Sequence, residues 1–150
     1  EAHSALAAAL KPLDVALVHV DRADARGVCQ VDGPDIYMDQ WMVRAARQSF
    51  ASCDELVDSS HFESSEASRQ VFWERAHTTG VVHLPAGAHP SSCAPLYGFD
   101  VKHFKEYTAS AKEEGGWQQY ADRYVNCTHD EYLERVGGLE AVRKLPLPVF

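Results

Sequence analysis

The loop from Pro85 to Pro95 contains the side chains of this sequence that are best placed to do chemistry. His89 and Cys93 lie four residues apart, so an imidazole there could take the proton of a nucleophilic thiol. No third group stands at a recognisable spacing to orient that imidazole. Short motifs often arise by accident, and we therefore favour a structural loop with a hydrogen-bonded histidine over a catalytic cysteine–histidine pair.

A glutamate beside glycines and a set of eight histidines offer two further chemistries. Glu114 precedes Gly115 and Gly116, but a flexible polar connector between two helices explains that segment without catalysis. The eight histidines contain no His-x-x-x-His pair, the spacing that places two metal ligands on one helix face. We expect no metal centre and no bound cofactor.

The elements that must position the Pro85–Pro95 loop predict an α/β fold. Leu13 to Val20 is nearly continuously apolar and β-branched, which is typical of a strand covered on both faces of a mostly parallel sheet. Shorter strands are predicted at 28–31, 49–52 and 81–84, the last leading directly into the loop. Loops after the strands of such sheets are where ligands bind.

Helices are predicted on either side of that loop. Asp35 is expected to cap a helix whose apolar side packs on the sheet, and an amphipathic turn or helix is expected at 69–75. The final third of the chain is predicted to be helical, and Thr128 to Glu131 has the spacing of a capping box. The predicted apolar stripes are Met38, Trp41, Met42, Ala45 and Ala46; Val101, Phe104, Tyr107 and Ala111; and Trp117, Tyr120, Ala121, Tyr124 and Val125.

Composition excludes several classes of protein. A formal net charge of -8 without a basic run disfavours nucleic acid as a partner. Four widely spaced cysteines without a Cys-x-x-Cys pair predict free thiols in a reducing, cytoplasmic setting. We expect no signal peptide and no membrane span, and the missing initial Met favours a portion of a longer protein.

One domain is predicted over 1–150, with a core at 9–100 and a helical tail at 101–145.

Three stretches stand in the order found in one enzyme family. They are Asp14 to Gly27, Ala45 to Val57, and Leu84 to Cys93 with the following Leu96 to Asp100. Together they resemble the α-type subunit of class I coenzyme A transferases, of the glutaconate CoA-transferase kind, a group that also includes ring-cleaving CoA-thioester hydrolases. The similarity runs from about Ala9 to Gly138 and implies the carboxy-terminal half of such a subunit.

The resemblance implies an enzyme that moves CoA from an acyl-CoA to a carboxylic acid, with coenzyme A as substrate. The family's nucleophilic Glu lies on a β-type partner subunit, so this chain alone is expected to be inactive and to contain no catalytic residue. By the same resemblance, Gly87, Ala88, His89 and Ser91 are expected to line the acyl pocket or the subunit interface. The alternatives are a subunit of a thioester hydrolase and a non-catalytic interaction domain, and a hydrolase using Cys93 is the weakest of them.

Overall fold

The computed structural model describes residues 13–34, 37–73 and 75–148, so the helix cap predicted at Asp35 lies outside the described residues. The chain divides into two compact units. The first contains the described residues up to Val31 and from 37 to His83, and the second contains Asp32–Pro34 and the chain from Leu84 onward. The single domain over 1–150 stays a prediction.

The first unit is built on a four-stranded sheet. Its strands are β1 (Leu13–Asp24), β2 (Cys29–Gln30), β3 (Ala46–Val57) and β4 (Gly80–His83), in the spatial order β2-β1-β3-β4. The pairs β1–β3 and β3–β4 are parallel, while the short edge strand β2 is antiparallel to β1. This arrangement confirms the α/β fold with a mostly parallel sheet and the strands predicted from the sequence.

One face of the sheet contains the core of this unit. Val20, Ala51 and Cys53 are buried there and pack with Trp73 and with Val43 of helix α1 (Asp39–Ala45). The opposite face is different, because alternate residues such as Leu17 of β1 remain 73% exposed. The prediction that β1 is covered on both faces is therefore wrong for the described part of the chain.

The helical stripe predicted over 38–46 is also wrong. Met38 and Trp41 are exposed, and Val43 is the buried residue of α1. The physical reason is length, since a helix of two turns directs few side chains at the sheet, and Ala46 already begins β3.

The connection between β3 and β4 contains short helical turns. They are a 3₁₀ turn at Ser59–Glu63, the α2 turn at Ser65–Ser68 and a 3₁₀ turn at Arg75–His77. Where an amphipathic turn or helix is expected at 69–75, the described residues 69–73 form no helix and begin with a turn, because Ser64 caps a helix that starts earlier, with its side chain accepting from the amide of Ala67. Val71 then forms a bridge to Gln30 of β2.

The second unit confirms the predicted helical final third. Its helices are α3 (Val101–Ser110), α4 (Gly116–Tyr124), α5 (His129–Arg135) and α6 (Leu139–Arg143). Gly115 joins α3 to α4 with a φ of 74°, the left-handed region that glycine adopts without strain. The capping box of Thr128 and Glu131 is present. No helix in the described ranges is long and apolar enough to span a bilayer.

The buried side of α3 differs from its predicted stripe, whereas in α4 Ala121 of the predicted stripe is buried. Val101, Phe104 and Tyr107 are exposed, whereas His103 is the buried residue of α3. A buried imidazole is tolerated when its polar atoms are paired, and the Nε2 of His103 lies 2.7 Å from the hydroxyl of Tyr120. The apolar core of this unit consists of Ala86, Cys93, Tyr97 and Val142.

Gly98 offers a test of how tightly the second unit is packed. A Cβ at this position would lie 1.7 Å from the carbonyl oxygen of Pro146. We expect Gly98→Ala to lower the free energy of unfolding by about 3 kcal/mol, at the upper end of overpacking effects. Gly138→Ala is the control, because its φ of 89° strains an alanine but no neighbour lies within 4 Å. Urea unfolding of both variants should show the larger loss for Gly98→Ala, and equal losses would contradict the clash.

Candidate functional site

The Pro85–Pro95 loop is held in a compact coil by its own backbone and by two ring side chains. The amide of Gly87 donates to the carbonyl of Leu84 at 2.9 Å, and the amide of Ala88 donates to the hydroxyl of Tyr97 at 3.1 Å. His129, at the start of α5, lies with its Nε2 2.8 Å from the carbonyl oxygen of Pro85. The loop is thereby fixed to the first turn of α5.

His89 is the centre of a buried polar cluster. Its Nε2 lies 3.3 Å from Oδ2 of Asp100, and its Nδ1 lies 2.5 Å from the hydroxyl of Tyr132. An ionised carboxylate only accepts hydrogen bonds, so Nε2–H of a neutral ring donates to Asp100 and Nδ1 accepts from Tyr132. The ring of His103 lies 5.3 Å from that of His89, centroid to centroid, and contacts Tyr120.

Burial keeps most of this cluster neutral. It lowers the pKa of His89 below its usual value, although the neighbouring carboxylate of Asp100 favours the charged ring. Burial lowers the pKa of His103 in the same way and raises that of the Tyr132 hydroxyl. For Asp100, burial alone would raise the pKa, but the amide of His103 and the ring of His89 stabilise the carboxylate and lower it.

An open cavity of about 410 Å³ lies against this cluster. Two properties of its wall stand out: aromatic hydroxyls and imidazoles dominate it, and no Lys or Arg among the described residues belongs to it. The cavity therefore suits a group that is uncharged and accepts or donates hydrogen bonds, not a phosphate. Its lining consists of Leu84, His89, Pro90, Tyr120, Tyr124, Cys127, Thr128, His129 and Tyr132.

The four residues predicted to bind substrate have different positions. His89 is buried and lines the cavity. Gly87 and Ala88 are partly exposed in the loop, Ser91 is exposed, and none of these three belongs to the cavity wall. Their role in substrate binding stays a prediction.

The geometry disfavours a nucleophilic pair of His89 and Cys93. Both ring nitrogens of His89 face other groups, Tyr132 and Asp100, and Cys93 belongs to the buried core. All four cysteines are free thiols, as predicted.

Most of the polar cluster cannot be found by spacing in the sequence. Periodicity places Tyr120 and Tyr124 on an aromatic helix face without a partner. One signal points to the right segment, because the capping box at Thr128 fixes the register of α5 and so the position of Tyr132 one turn later. The pairing of these side chains across the loop depends on tertiary contacts.

His89, Asp100 and His103 could also offer ligands to a metal ion. One ligand atom from each lies within 4.8 Å of the others, and two imidazoles with a carboxylate suit zinc or ferrous iron. The residues are already paired with one another and with tyrosine hydroxyls, so the cluster is complete as a hydrogen-bonded network. The absence of a metal centre stays a prediction.

The lowered pKa values of His89 and His103 predict a pH dependence of stability. Their folded pKa lies below the ordinary value of 6.5, so the unfolded chain takes up protons first as the pH falls. The stabilisation is complete above about pH 6.5 and is lost below it, towards the folded pKa values. Urea unfolding at pH 7.5 and 5.5 should show this loss, and His89→Gln should reduce it. Exposed His83→Gln is the control, and an equal reduction there would contradict the assignment.

The sequence of this chain was compared with the sequences of known proteins. No family model matches the sequence. The chain is 32% identical over 124 residues to the cholesterol ring-cleaving hydrolase IpdA subunit of Rhodococcus jostii, covering 83% of this chain and 42% of that protein. It is 25% identical over 138 residues to the A-type subunit of glutaconate CoA-transferase from Acidaminococcus fermentans, covering 91% of this chain and 42% of that protein.

Comparison of the fold with solved structures finds the same group of proteins. The crystal structure of glutaconate coenzyme A-transferase from Acidaminococcus fermentans superposes with a TM-score of 0.79 and 26% sequence identity, over 88% of this chain and 41% of that chain. The chain therefore spans less than half the length of each of these relatives.

Proposed function

The chain belongs to the coenzyme A transferase family and is related to its A-type subunits, and from this premise we propose that it contributes an acyl-binding wall to an enzyme that transfers CoA. The donor is an acyl-CoA and the acceptor is a carboxylic acid. A B-type partner subunit supplies the nucleophilic Glu. The part proposed for this chain is the carboxy-terminal half of the A-type protein.

The cavity beside His89 is the observation that carries this proposal. A thioester substrate has two unlike ends, a CoA moiety with several phosphates and an acyl group. The cavity wall contains no Lys or Arg among the described residues, and burial keeps His89 and Tyr132 uncharged. Phosphates would gain no charged partner there, whereas an acyl group with a few polar atoms would find both apolar contact and hydroxyl groups.

The proposed reaction proceeds through two covalent intermediates. The partner's Glu carboxylate attacks the thioester carbonyl and expels the CoA thiolate, which leaves an acyl-glutamyl anhydride. The thiolate then attacks the glutamyl carbonyl, giving a glutamyl-CoA thioester and the free acid. A second carboxylate repeats these two steps in reverse order and leaves with the CoA. Throughout, the residues of this chain would position the acyl group.

Hydrolysis of a thioester is a second candidate. The observation that favours it is the higher identity to the relative named as a hydrolase, 32% against 25% for the transferase. In that case water takes the place of the second carboxylate.

An assay of the complete complex separates the two reactions. The full A-type protein would be coexpressed with its B-type partner and incubated with an acyl-CoA, with and without a carboxylic acid. Transfer predicts a new acyl-CoA that forms only with the acid, and hydrolysis predicts free CoA in its absence. A well-formed complex that does neither with a panel of acyl-CoA donors would refute the proposed function.

A substitution at Cys127 tests the proposed acyl-binding wall. This side chain lines the cavity and is partly exposed. We expect Cys127→Trp to fill the cavity and to lower kcat/KM for a bulky acyl-CoA by about 10- to 100-fold, the range by which pockets discriminate on size. Acetyl-CoA should be affected far less, and Cys127→Ala should spare both substrates. An equal loss for large and small acyl groups would contradict an acyl-binding role.

A further inference from the structure

A second constellation lies in the first unit, on the sheet face that does not form the core. His19 of β1 is directly opposite Ser52 of β3 in the parallel register. Asp54 follows two residues later on β3, and side chains two apart on a strand point to the same face. The sheet therefore brings a hydroxyl, an imidazole and a carboxylate together on one surface.

Hydrogen bonds connect these three side chains in series. Nδ1 of His19 lies 2.8 Å from Oγ of Ser52, and Nε2 of His19 lies 2.8 Å from Oδ2 of Asp54. A carboxylate accepts and does not donate when ionised, so in the neutral ring Nε2–H donates to Asp54. Nδ1 then carries the lone pair and accepts the hydroxyl proton of Ser52. The other acceptor near Ser52 Oγ, the carbonyl of Val18, is more distant at 3.4 Å.

Exposure increases along this series from the carboxylate to the hydroxyl. The side chain of Asp54 is 0% exposed and that of His19 is 14% exposed, while Ser52 is partly exposed. A buried carboxylate against Nε2 fixes the ring orientation and stabilises the imidazolium that forms when the ring takes a proton. The hydroxyl at the other end remains accessible.

Apolar side chains lie beside Ser52. Val82 of β4 is its direct neighbour in the register and is 52% exposed, and Leu17 of β1 lies on the same face. Apolar surface next to a reactive hydroxyl offers contact to the acyl part of an uncharged ester. This part of the sheet face thus suits an acyl group.

From this geometry we propose that Ser52, His19 and Asp54 form a serine nucleophile site that accepts small uncharged acyl esters. Triads of this kind are recognised by geometry and roles and not by sequence position or fold. Ser52 is the nucleophile, His19 the base, and Asp54 a positioning residue that acts through His19. This site uses none of the residues that line the cavity beside His89 and does not depend on the proposed CoA transfer.

The chemistry balances with an ester and water as the two reactants. Oγ of Ser52 bonds to the carbonyl carbon while its proton passes to Nδ1 of His19. The tetrahedral adduct collapses, the bond from the carbonyl carbon to the ester oxygen breaks, and the alcohol leaves with the proton from His19. Water then attacks the acyl-serine with the same base, and the carboxylic acid leaves as Ser52 regains its proton.

A fluorophosphonate probe tests this site on the full chain. We expect a covalent adduct on Ser52, detected by intact mass and located by peptide mapping, and no such adduct in Ser52→Ala. His19→Gln should slow labelling at least about 100-fold, since losing a triad member costs several powers of ten in rate. Asp54→Asn should also slow labelling, although this variant retains the hydroxyl of Ser52. The partly exposed Ser110→Ala variant is the control and should label like the parent.

Folding is monitored in the same samples by circular dichroism, and rates are compared only among variants with the parent spectrum. Ser52→Ala and His19→Gln remove or replace partly exposed groups, so each can be interpreted separately if Asp54→Asn unfolds. A folded full chain that shows no adduct at Ser52 would overturn the proposal. Labelling of Ser52 that proceeds at the same rate in His19→Gln would overturn it as well, because the hydroxyl would then react without its base.

Discussion

Replacing Tyr97 by alanine is expected to lower the free energy of unfolding of the second unit by about 3–5 kcal/mol, as for large aromatic side chains in cores. Tyr97 is fully buried, at 0% exposure, and packs with Ala86, Cys93 and Val142. Its removal leaves a cavity between the loop and α6. The measurement is urea unfolding followed by tryptophan fluorescence and circular dichroism. Tyr107→Ala, on the exposed side of α3, is the matched control and should change stability little.

Tyr97→Phe separates packing from hydrogen bonding at the same position. The ring stays, but the hydroxyl that accepts from the amide of Ala88 is lost. An amide left without a partner costs about 1–3 kcal/mol, so the phenylalanine variant should lie between the parent and Tyr97→Ala. Hydrogen exchange at the Ala88 amide should accelerate. Parent-like stability and exchange in Tyr97→Phe would show that this hydroxyl does not hold the loop.

Trp73→Ala is expected to have an effect of similar size in the first unit. The side chain is 2% exposed, packs in the core under the sheet, and donates from Nε1 to Oγ1 of Thr78 at 3.1 Å. We expect a loss of about 3–5 kcal/mol. Trp117→Ala is the control, because that indole is 52% exposed, and its effect should stay within about 0.5 kcal/mol. Similar losses for both tryptophans would contradict the assignment of the core to this face of the sheet.

The two tryptophan variants also test which indole is buried, because hydrophobicity alone does not decide this. Trp41, Trp73 and Trp117 all lie in segments with an amphipathic pattern, yet Trp73 is the buried one. It is placed under the sheet because the chain after α2 runs past β2, where Val71 forms its bridge to Gln30. Local pattern predicts that an indole will be buried, whereas the path of the connection decides which one is.

At the candidate site, too, the sequence identifies the segment, whereas the tertiary structure decides which side chains it contacts. His89 and its loop can be identified from the sequence, and the loop belongs to a stretch that resembles one family of enzymes. The partners of His89 come from separate elements, since Asp100 precedes α3 and Tyr132 lies on α5. A titratable residue becomes buried and neutral only when such partners enclose it, so the electrostatics of the cavity cannot be predicted from the sequence.

Strand content could be predicted because it depends on local order, and the family could be recognised because the stretches that resemble it are continuous in the sequence. The β-branched run from Leu13, the capping box at Thr128 and the segment from Leu84 to Cys93 each occupy a continuous stretch, and short-range physics acts on such stretches directly. The apolar run led to the α/β fold with a mostly parallel sheet, and the resemblance of Asp14–Gly27, Ala45–Val57 and Leu84–Cys93 led to the CoA-transferase family; both were confirmed.

Only the tertiary structure decided which polar side chains meet on one surface. The register of β1 against β3 places His19 beside Ser52, and a shift of one residue would turn one of them to the opposite face. The packing of α3 and α5 against the loop likewise brings the rings of His103 and Tyr132 into contact with that of His89. Each pairing joins side chains from different elements that are distant in the chain. The sequence by itself determined the elements and the family, while side-chain chemistry was set by long-range register and packing.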